Sequence, residues 1–377
     1  MLISAGEASG DRYAALLVVE LRRLWPDAQF FGAAGPHMRR TGVETIVDAA
    51  SLSVVGLVEV VRHIPRIYRE YRKLVAAARA RRPDLAILTD SPDFHMRLAR
   101  RLHHQGIPVV YLVAPQVWAW RSNRLRAMRR NLQHLLCIFP FEEEFFRRRG
   151  LAATYIGHPL AGLVKPTLTR AEFFQKHRLP PGRPLVSVMP GSRRGEAARH
   201  IPALADAAER IYREQASSFV LPASATTGAE FFRDRIANAP IHVIEGESWD
   251  ALAYADLALA ASGTVTVEAA LLGTPMVTFY KVTRLSWLMG RFLVRVPFYS
   301  MVNLIAGRAV VPELMQSEMS GERLASEALR LLRNDAARAQ MRSSLAGVAQ
   351  KLAGGNSMAR AAVIIQDLME GQFAHVS

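Results

Sequence analysis

The stretch Met1-Leu2-Ile3-Ser4-Ala5-Gly6-Glu7-Ala8-Ser9-Gly10-Asp11 runs from a short apolar strand into a glycine-bearing turn. Behind it, Tyr13, Leu16, Leu17, Leu21 and Leu24 recur at three-to-four spacing, which marks a helix, and Pro26 stops it. Strand, small-residue turn and helix then repeat along the chain. Strands are expected at 30–32, 85–89, 109–113 and 135–139, with a helix at 95–104. Leu57, Val60, Val61, Ile64, Ile67, Tyr71, Leu74 and Val75 trace another helical stripe, in which Pro65 predicts a kink or two helices. Residues 157–184 carry Pro159, Pro166, Pro180, Pro181 and Pro184 and read as a linker. Beyond it the alternation restarts, with strands at 185–189, 218–222, 241–244, 257–260 and 275–279, a helix at 265–272 and a helical run at 321–369. Such alternation predicts α/β architecture: two Rossmann-like domains with parallel sheets, facing a cleft. The expected limits are 1–165, 166–345 and a helical tail, 346–377, that packs back on an N-terminal domain of its own chain or of a partner.

A chain of 377 residues suits two domains and a large core. Its one cysteine, Cys137, excludes a disulfide framework and multi-cysteine metal sites, and no HxxxH, HExxH or CxxC pairing suggests a metal. Most of the histidines read as surface or capping residues. The net charge is +15, and lysine occurs only five times, so the excess is arginine. Arginine's fork matches phosphate and carboxylate, although an arginine-favouring genome gives the same composition. Neither 94–141 nor 269–312 contains an Asp or Glu, so the basic residues fall into two regions. Met1 leads directly into a strand, which does not resemble a signal peptide, and no apolar run reaches the roughly 20 residues of a membrane span. The expected location is the cytoplasm.

Five turns sit where such sheets bind ligands, beyond the strands' carboxyl ends. Gly6, Glu7, Ser9 and Gly10 allow close approach of a ligand, or form a plain turn capped by Ser9 or Asp11. Asp90, ending the apolar run 85–89, is placed to take a proton from an acceptor hydroxyl; Asp93 or Ser91 reads as a helix cap, with Asp93 preferred. Gln116, Trp118, Trp120 and Arg121 form a loop whose tryptophans either wall a sugar or acyl chain or pack inward. Arg121, Arg124, Arg126, Arg129 and Arg130 follow at helical spacing with no acids among them. Pro190-Gly191-Ser192-Arg193 lies between a strand and a helix and favours an anion, with Arg193 clamping a departing diphosphate. Ser262, Gly263 and Thr264 repeat that arrangement, unless Ser262 or Thr264 merely caps the helix, and Glu268 follows one turn on, placed for a ribose. Two anion-type turns in one domain point to a diphosphate nucleotide.

In order along the chain, these motifs resemble the bacterial lipid-A-disaccharide synthase family. The resemblance rests on 4–11, Ala34-Gly35-Pro36, 55–60, Asp90-Ser91-Pro92-Asp93-Phe94, 115–121, Phe139-Pro140-Phe141-Glu142, Gly157-His158-Pro159, 190–193, 261–264 with Glu268, and 303–308. It implies an inverting GT-B glycosyltransferase. The donor would be UDP-2,3-diacylglucosamine, the acceptor 2,3-diacylglucosamine 1-phosphate (lipid X), and the products UDP and the β(1→6) disaccharide 1-phosphate of lipid A biosynthesis. Asp90 matches the family's proposed base and Arg193 its essential arginine, and Asn303 and Arg308 would complete the nucleotide side. No cofactor and no metal are implied, nor any nucleic acid. Acyl chains on both substrates give Val54, Val55, Leu57 and Val58 a role as an apolar acceptor patch, with ordinary helix packing as the alternative. Residues 285–296, with Trp287, Met289, Arg291, Phe292 and Arg295, form a second amphipathic candidate for an anionic inner-membrane surface. Peripheral association with that membrane is expected, and a homodimer is left open. Two other readings stand beside this one: a UDP-sugar 2-epimerase, and a non-catalytic basic scaffold for membrane or nucleic acid.

Overall fold

In the computed structural model, the described residues are all but 53–56, 121–123, 225–226, 237, 284–286, 289–295 and 372–377; the side chains of 57–63, 119 and 120 are also outside the description. By its contacts the chain divides into two units, Met1–Pro159 with Gly354–Ser377, and Leu160–Ala353.

The first unit is built on seven parallel strands: β1 (Leu2–Ala5), β2 (Phe31–Ala34), β3 (Glu44–Asp48), β4 (Ala86–Thr89), β5 (Val109–Leu112), β6 (His134–Cys137) and β7 (Ala153–Tyr155). Their order is β3-β2-β1-β4-β5-β6-β7. β1, β2, β4, β5 and β6 are buried throughout, as strands covered on both faces must be, which explains their unbroken apolar runs. Leu2, Leu74, Leu88, Leu98, Tyr111 and Phe146 lie in its core. The helix Leu57–Arg81 runs through Pro65 as one element and not as two helices.

The second unit has six parallel strands: β8 (Leu185–Met189), β9 (Ser218–Ala223), β10 (Ile241–Glu245), β11 (Leu257–Ala261), β12 (Met276–Tyr280) and β13 (Glu313–Met315), in the order β10-β9-β8-β11-β12-β13. The expected linker, 157–184, belongs largely to this unit. Within it, Arg170–Lys176 is a helix whose Phe173 is fully buried beside Leu185, Val220 and Ile244. Asp250 pins that segment by accepting the N–H of Thr167 and of Leu168 at 2.8 and 2.7 Å. The change of unit at Pro159/Leu160 does fall inside the expected linker, and the buried aromatic assigns the rest of it to the second unit.

The chain passes between the units at Pro159/Leu160 and at Ala353/Gly354. The expected limit at 345/346 would cut the helix Asp335–Leu352. Gly157 and Gly354 touch: a Cβ on Gly157, whose φ is 91°, would lie 2.9 Å from the Gly354 Cα. Arg360 donates to the Tyr155 carbonyl at 3.1 Å, and Asn356 donates to Glu20 at 2.9 Å. The helix Ser357–Met369 thereby packs on the helix Ala8–Leu24 of the same chain.

Candidate active site

In each sheet the winding direction reverses between two central neighbours, β1 with β4 and β8 with β11. Segments leaving the carboxyl ends of such a pair diverge, which opens the ligand crevice of this fold class.

In the first unit Ala5 of β1 pairs with Thr89 of β4, so Gly6 and Asp90 leave the sheet side by side. The Asp90 carboxylate accepts the N–H of Gly6 at 2.7 Å and of Glu7 at 3.1 Å. Gly10 comes so close that an added Cβ would stand 1.6 Å from Asp90 Oδ2; at Gly6 it would stand 2.2 Å from Ser91 Oγ. The two glycines of the opening motif therefore leave the space that Asp90 and Ser91 fill. Both of those residues are left-handed, with φ 54° and 37°, a conformation costing a non-glycine residue about 1–2 kcal/mol. The Asp90 carbonyl accepts from the Tyr111 hydroxyl and, at 2.9 Å, from His95 Nδ1. His95 Nε2 then accepts from the Ser4 hydroxyl at 2.8 Å. Burial pulls His95 down to about 4, so the imidazole is neutral and the carbonyl sets its tautomer. Burial pushes the Asp90 carboxyl up to about 8 against the pull of the Gly6 N–H, and the Glu7 charge adds to the rise.

Two capping expectations are corrected. Asp11 is buried and accepts N–H groups of Gly35, His37 and Met38 at 2.8, 2.8 and 3.2 Å, so it caps the neighbouring helix Pro36–Arg40 and not its own. Asp93 lies inside the first turn of Pro92–His103, where it pairs with Arg124; Ser91 holds the N-cap position. Arg124 therefore has an acidic partner after all. Glu7 and Ser9 are exposed beside Asp90.

Trp118 is tied to a motif whose purpose the sequence left open. Its indole N–H donates to Glu142 Oε1 at 3.0 Å, and its ring meets Phe141 edge-on at 5.0 Å. Glu142 is fully buried, accepts the Phe139 N–H at 3.1 Å, and is pushed up to about 7 by burial. Gln116 is exposed at the loop's tip. Val54, Val55 and Arg121 lie outside the described residues. So do the side chains of Leu57, Val58 and Trp120 and, in the 285–296 candidate, Leu285, Met289, Arg291, Phe292 and Arg295.

In the second unit Met189 of β8 pairs with Ala260 of β11, and the two anion-type turns follow on adjacent strands. Ser192 and Arg193 are exposed, and Arg193 is the N-cap of the helix Arg194–Glu214. His200, fully buried, bridges two loops: Nδ1 donates to the Pro190 carbonyl at 2.8 Å and Nε2 accepts the Lys281 N–H at 3.0 Å. The Ser192 carbonyl accepts from the Thr227 hydroxyl at 3.0 Å. Burial raises the Glu196 carboxyl, opposed by the Arg193 guanidinium and a hydrogen bond from Tyr280. Ser262 is held by the Phe279 and Tyr299 carbonyls, both at 2.8 Å. Gly263, not Ser262 or Thr264, is the N-cap of Thr264–Leu271, and no side chain caps that end. Glu268 is half-buried one turn along.

Asn303 is placed differently from expectation. It is buried; its Nδ2 donates to Val311 and Glu313, and its Oδ1 accepts from the N–H of Val310 and Val311. Those four bonds use the whole capacity of the amide, and through them Asn303 holds the loop before β13. Arg308 is exposed and donates to Ser344 at 3.0 Å. The histidines also depart in part from expectation, since His95, His134, His158 and His200 are buried. Among the described residues no group of three or more His, Cys, Asp or Glu side chains is placed to hold a metal. The sequence motifs gave no role to His95, Tyr111, Glu196 and His200, and quoted Glu142 without one.

Two doubly wound parallel sheets of this order, each with its candidate turns at the switch point, define the GT-B architecture of glycosyltransferases and their relatives. Within that class the chain belongs to the lipid-A-disaccharide synthase family: the family model described as lipid-A-disaccharide synthetase matches residues 1–365. It is 71% identical to the lipid-A-disaccharide synthase of Solibacter usitatus (strain Ellin6076), over 100% of this chain and 99% of that one. The synthase of Koribacter versatilis (strain Ellin345) is 44% identical over 96% of this chain and 95% of its own. The chain is a UDP-dependent glycosyltransferase. Solved structures share the fold at low identity. Staphylococcus aureus MnaA with UDP has a TM-score of 0.69 at 12% identity, covering 98% of this chain and 96% of that one. The calicheamicin glycosyltransferase CalG4 has 0.61 at 15%, covering 99% and 98%. UDP-GlcNAc 2-epimerase of Neisseria meningitidis has 0.66 at 13%, covering 98% and 99%. The epimerase likeness is one of fold alone, so that alternative is set aside, and the scaffold reading with it.

Proposed function

We propose that the chain transfers the diacylglucosaminyl group of UDP-2,3-diacylglucosamine to the 6-hydroxyl of lipid X, with Asp90 as base and Arg193 facing the leaving diphosphate. The observation that carries this is the Asp90 carboxylate, seated at the first sheet's switch point with its proton affinity raised to about 8. A base of that strength takes a hydroxyl proton as the bond forms far better than an ordinary carboxylate does. The hydroxyl oxygen attacks the donor's C1 from the face opposite UDP. The bond from C1 to the diphosphate oxygen breaks with its electron pair on UDP, the configuration inverts, and the proton passes to Asp90. The developing charge on UDP meets Arg193 and the uncapped N–H groups at Thr264–Leu271. The first unit takes the acceptor and the second the nucleotide, with Gly191, Ser192, Ser262, Gly263, Thr264 and Glu268 around it and Asn303 acting through its loop.

The same reading places the chain on an anionic membrane surface. Its support is the net charge of +15 and the helix Leu57–Arg81, on which Ile64 and Tyr68 are 53% and 60% exposed beside Arg69 and Arg72. Among the described residues no helix is long and apolar enough to cross a membrane.

The test is UDP release from the two lipid substrates by the wild type, Asp90→Ala and Arg193→Ala. Asp90→Ala should lose nearly all transfer and keep its affinity for UDP, whereas Arg193→Ala should bind UDP more weakly and turn over slowly. Wild-type turnover in either variant removes that residue from its role.

A further inference from the structure

We propose that Tyr111 and His95 are positioning residues that hold Asp90, through its main-chain carbonyl, in the left-handed turn that aims its carboxylate. The inference rests on the reading of Asp90 as base and extends it to two buried side chains that no motif marks.

Tyr111 sits in β5 opposite Leu88 of β4, and its side chain is fully buried in the first core. Phenylalanine would fill that place equally well; the hydroxyl needs an acceptor, and the acceptor it meets is the Asp90 carbonyl. That carbonyl is available because Asp90, at φ 54°, has turned out of the extended conformation that would continue the ladder. His95, one helical turn beyond, brings a second donor to the same oxygen, and Ser4 of β1 fixes the far side of its ring. Donors from β5 and the helix Pro92–His103 thus converge on one oxygen, and β1 steadies one of them. A carbonyl that accepts twice has both lone pairs engaged, so the peptide cannot rotate without losing both bonds. Rotation of that peptide would swing the carboxylate off the Gly6 and Glu7 N–H groups. Two successive left-handed residues ahead of Pro92 need such restraint, because the chain's own preference is to relax.

Neither clamping group titrates where Asp90 does. His95 is neutral above about 4, and burial together with Asp90, Asp93 and Glu7 keeps the Tyr111 phenol protonated. Glu7 is the charged neighbour facing the carboxylate. A pH midpoint near 8 therefore reports Asp90 itself.

The experiment compares Tyr111→Phe, Asp90→Asn and the double variant, with lipid X and UDP-2,3-diacylglucosamine as substrates. Tyr111→Phe should lower kcat about 10- to 100-fold, the cost of misplacing a reacting group by a fraction of an ångström to one ångström. KM for both substrates and UDP affinity should stay within about twofold. The rising limb of kcat/KM should move to lower pH, because a released carboxylate gains water. In the Asp90→Asn background, Tyr111→Phe should change the residual rate no further. His95→Gln, which keeps an N–H donor, should lose less than His95→Ala. Wild-type kcat and midpoint in Tyr111→Phe, with Asp90→Asn inactive, would overturn the clamp alone. So would a lower kcat with an unmoved midpoint, or equal losses in the two His95 variants. Wild-type turnover in Asp90→Asn would instead remove the base on which the clamp acts.

Discussion

Gly10→Ala offers a test in which stability and activity separate. Gly10 lies in the first turn of Ala8–Leu24, where alanine is favoured over glycine by about 1 kcal/mol. The added methyl, however, would stand 1.6 Å from Asp90 Oδ2 and 2.6 Å from its Cγ. Ordinary contact begins near 3.4 Å, so the carboxylate must retreat by about 1.8 Å. That exceeds the displacement of about 1 Å that costs on the order of 100-fold in rate. The retreat breaks the bonds from the Gly6 and Glu7 N–H groups, but it returns to water a carboxyl whose burial was unfavourable. The opposing contributions should leave the melting temperature within about 4 °C of wild type. The assay is steady-state UDP release at saturating substrate, paired with calorimetry of UDP binding and a thermal melt. The expected result is a fall in kcat of at least about 100-fold with UDP affinity unchanged. If Gly10→Ala turns over within twofold of wild type, the seat of Asp90 seen here is not the one chemistry uses.

Three further outcomes follow from the geometry. In wild-type enzyme kcat/KM should rise about tenfold from pH 6 to 7 and about fivefold from 7 to 8, then level off, because only ionised Asp90 accepts the proton; a profile flat over that range contradicts the assignment. Glu142 has a folded-state pKa raised to about 7, so its contribution to stability is complete below the ordinary carboxylate range and is lost as pH rises through 7; melts of the wild type from pH 5 to 8 should show a decline, and Glu142→Gln should lessen it, leaving the part that the raised Asp90 carboxyl causes. Gly157→Ala meets both a left-handed φ and the Gly354 backbone, whereas Gly182→Ala meets only a left-handed φ of 79°, so denaturant unfolding should show the first losing at least about 2 kcal/mol and the second about 1 kcal/mol; equal losses would mean that the Gly157–Gly354 contact carries no weight.

Much of this molecule was legible in its sequence because the signals are local. A strand, a turn of small residues and a helix lie consecutively, and Asp90, Arg193 and Thr264 stand at such turns. What was missed depends on neighbours that the sheet order brings together. β1 lies beside β4 and not beside β3, so Tyr111 and His95 meet the Asp90 carbonyl while Ser4, from a third segment, holds His95. Glu196 reads as an ordinary helix-start acid, and His200 as a helical histidine, until β12 brings Tyr280 and Lys281 alongside. The amide of Asn303 is engaged by Val310, Val311 and Glu313, a demand invisible in a motif. The expected linker does contain the crossing at Pro159/Leu160 but runs too far, since five prolines outweighed one buried Phe173.

The return of the last helix to the first sheet bears on how the protein is made. The second unit is complete once Ala353 has been synthesised, whereas the first still lacks the helix Ser357–Met369. At translation rates of roughly 5–20 residues per second, the first sheet waits on the order of 10–40 s for its final helix. During that interval the helix Ala8–Leu24 leaves the ribosome without the partner that covers it, a surface for chaperones to shelter. The order of maturation is therefore the reverse of the order of synthesis. A nonsense codon late in the gene would damage most the domain with which the chain begins.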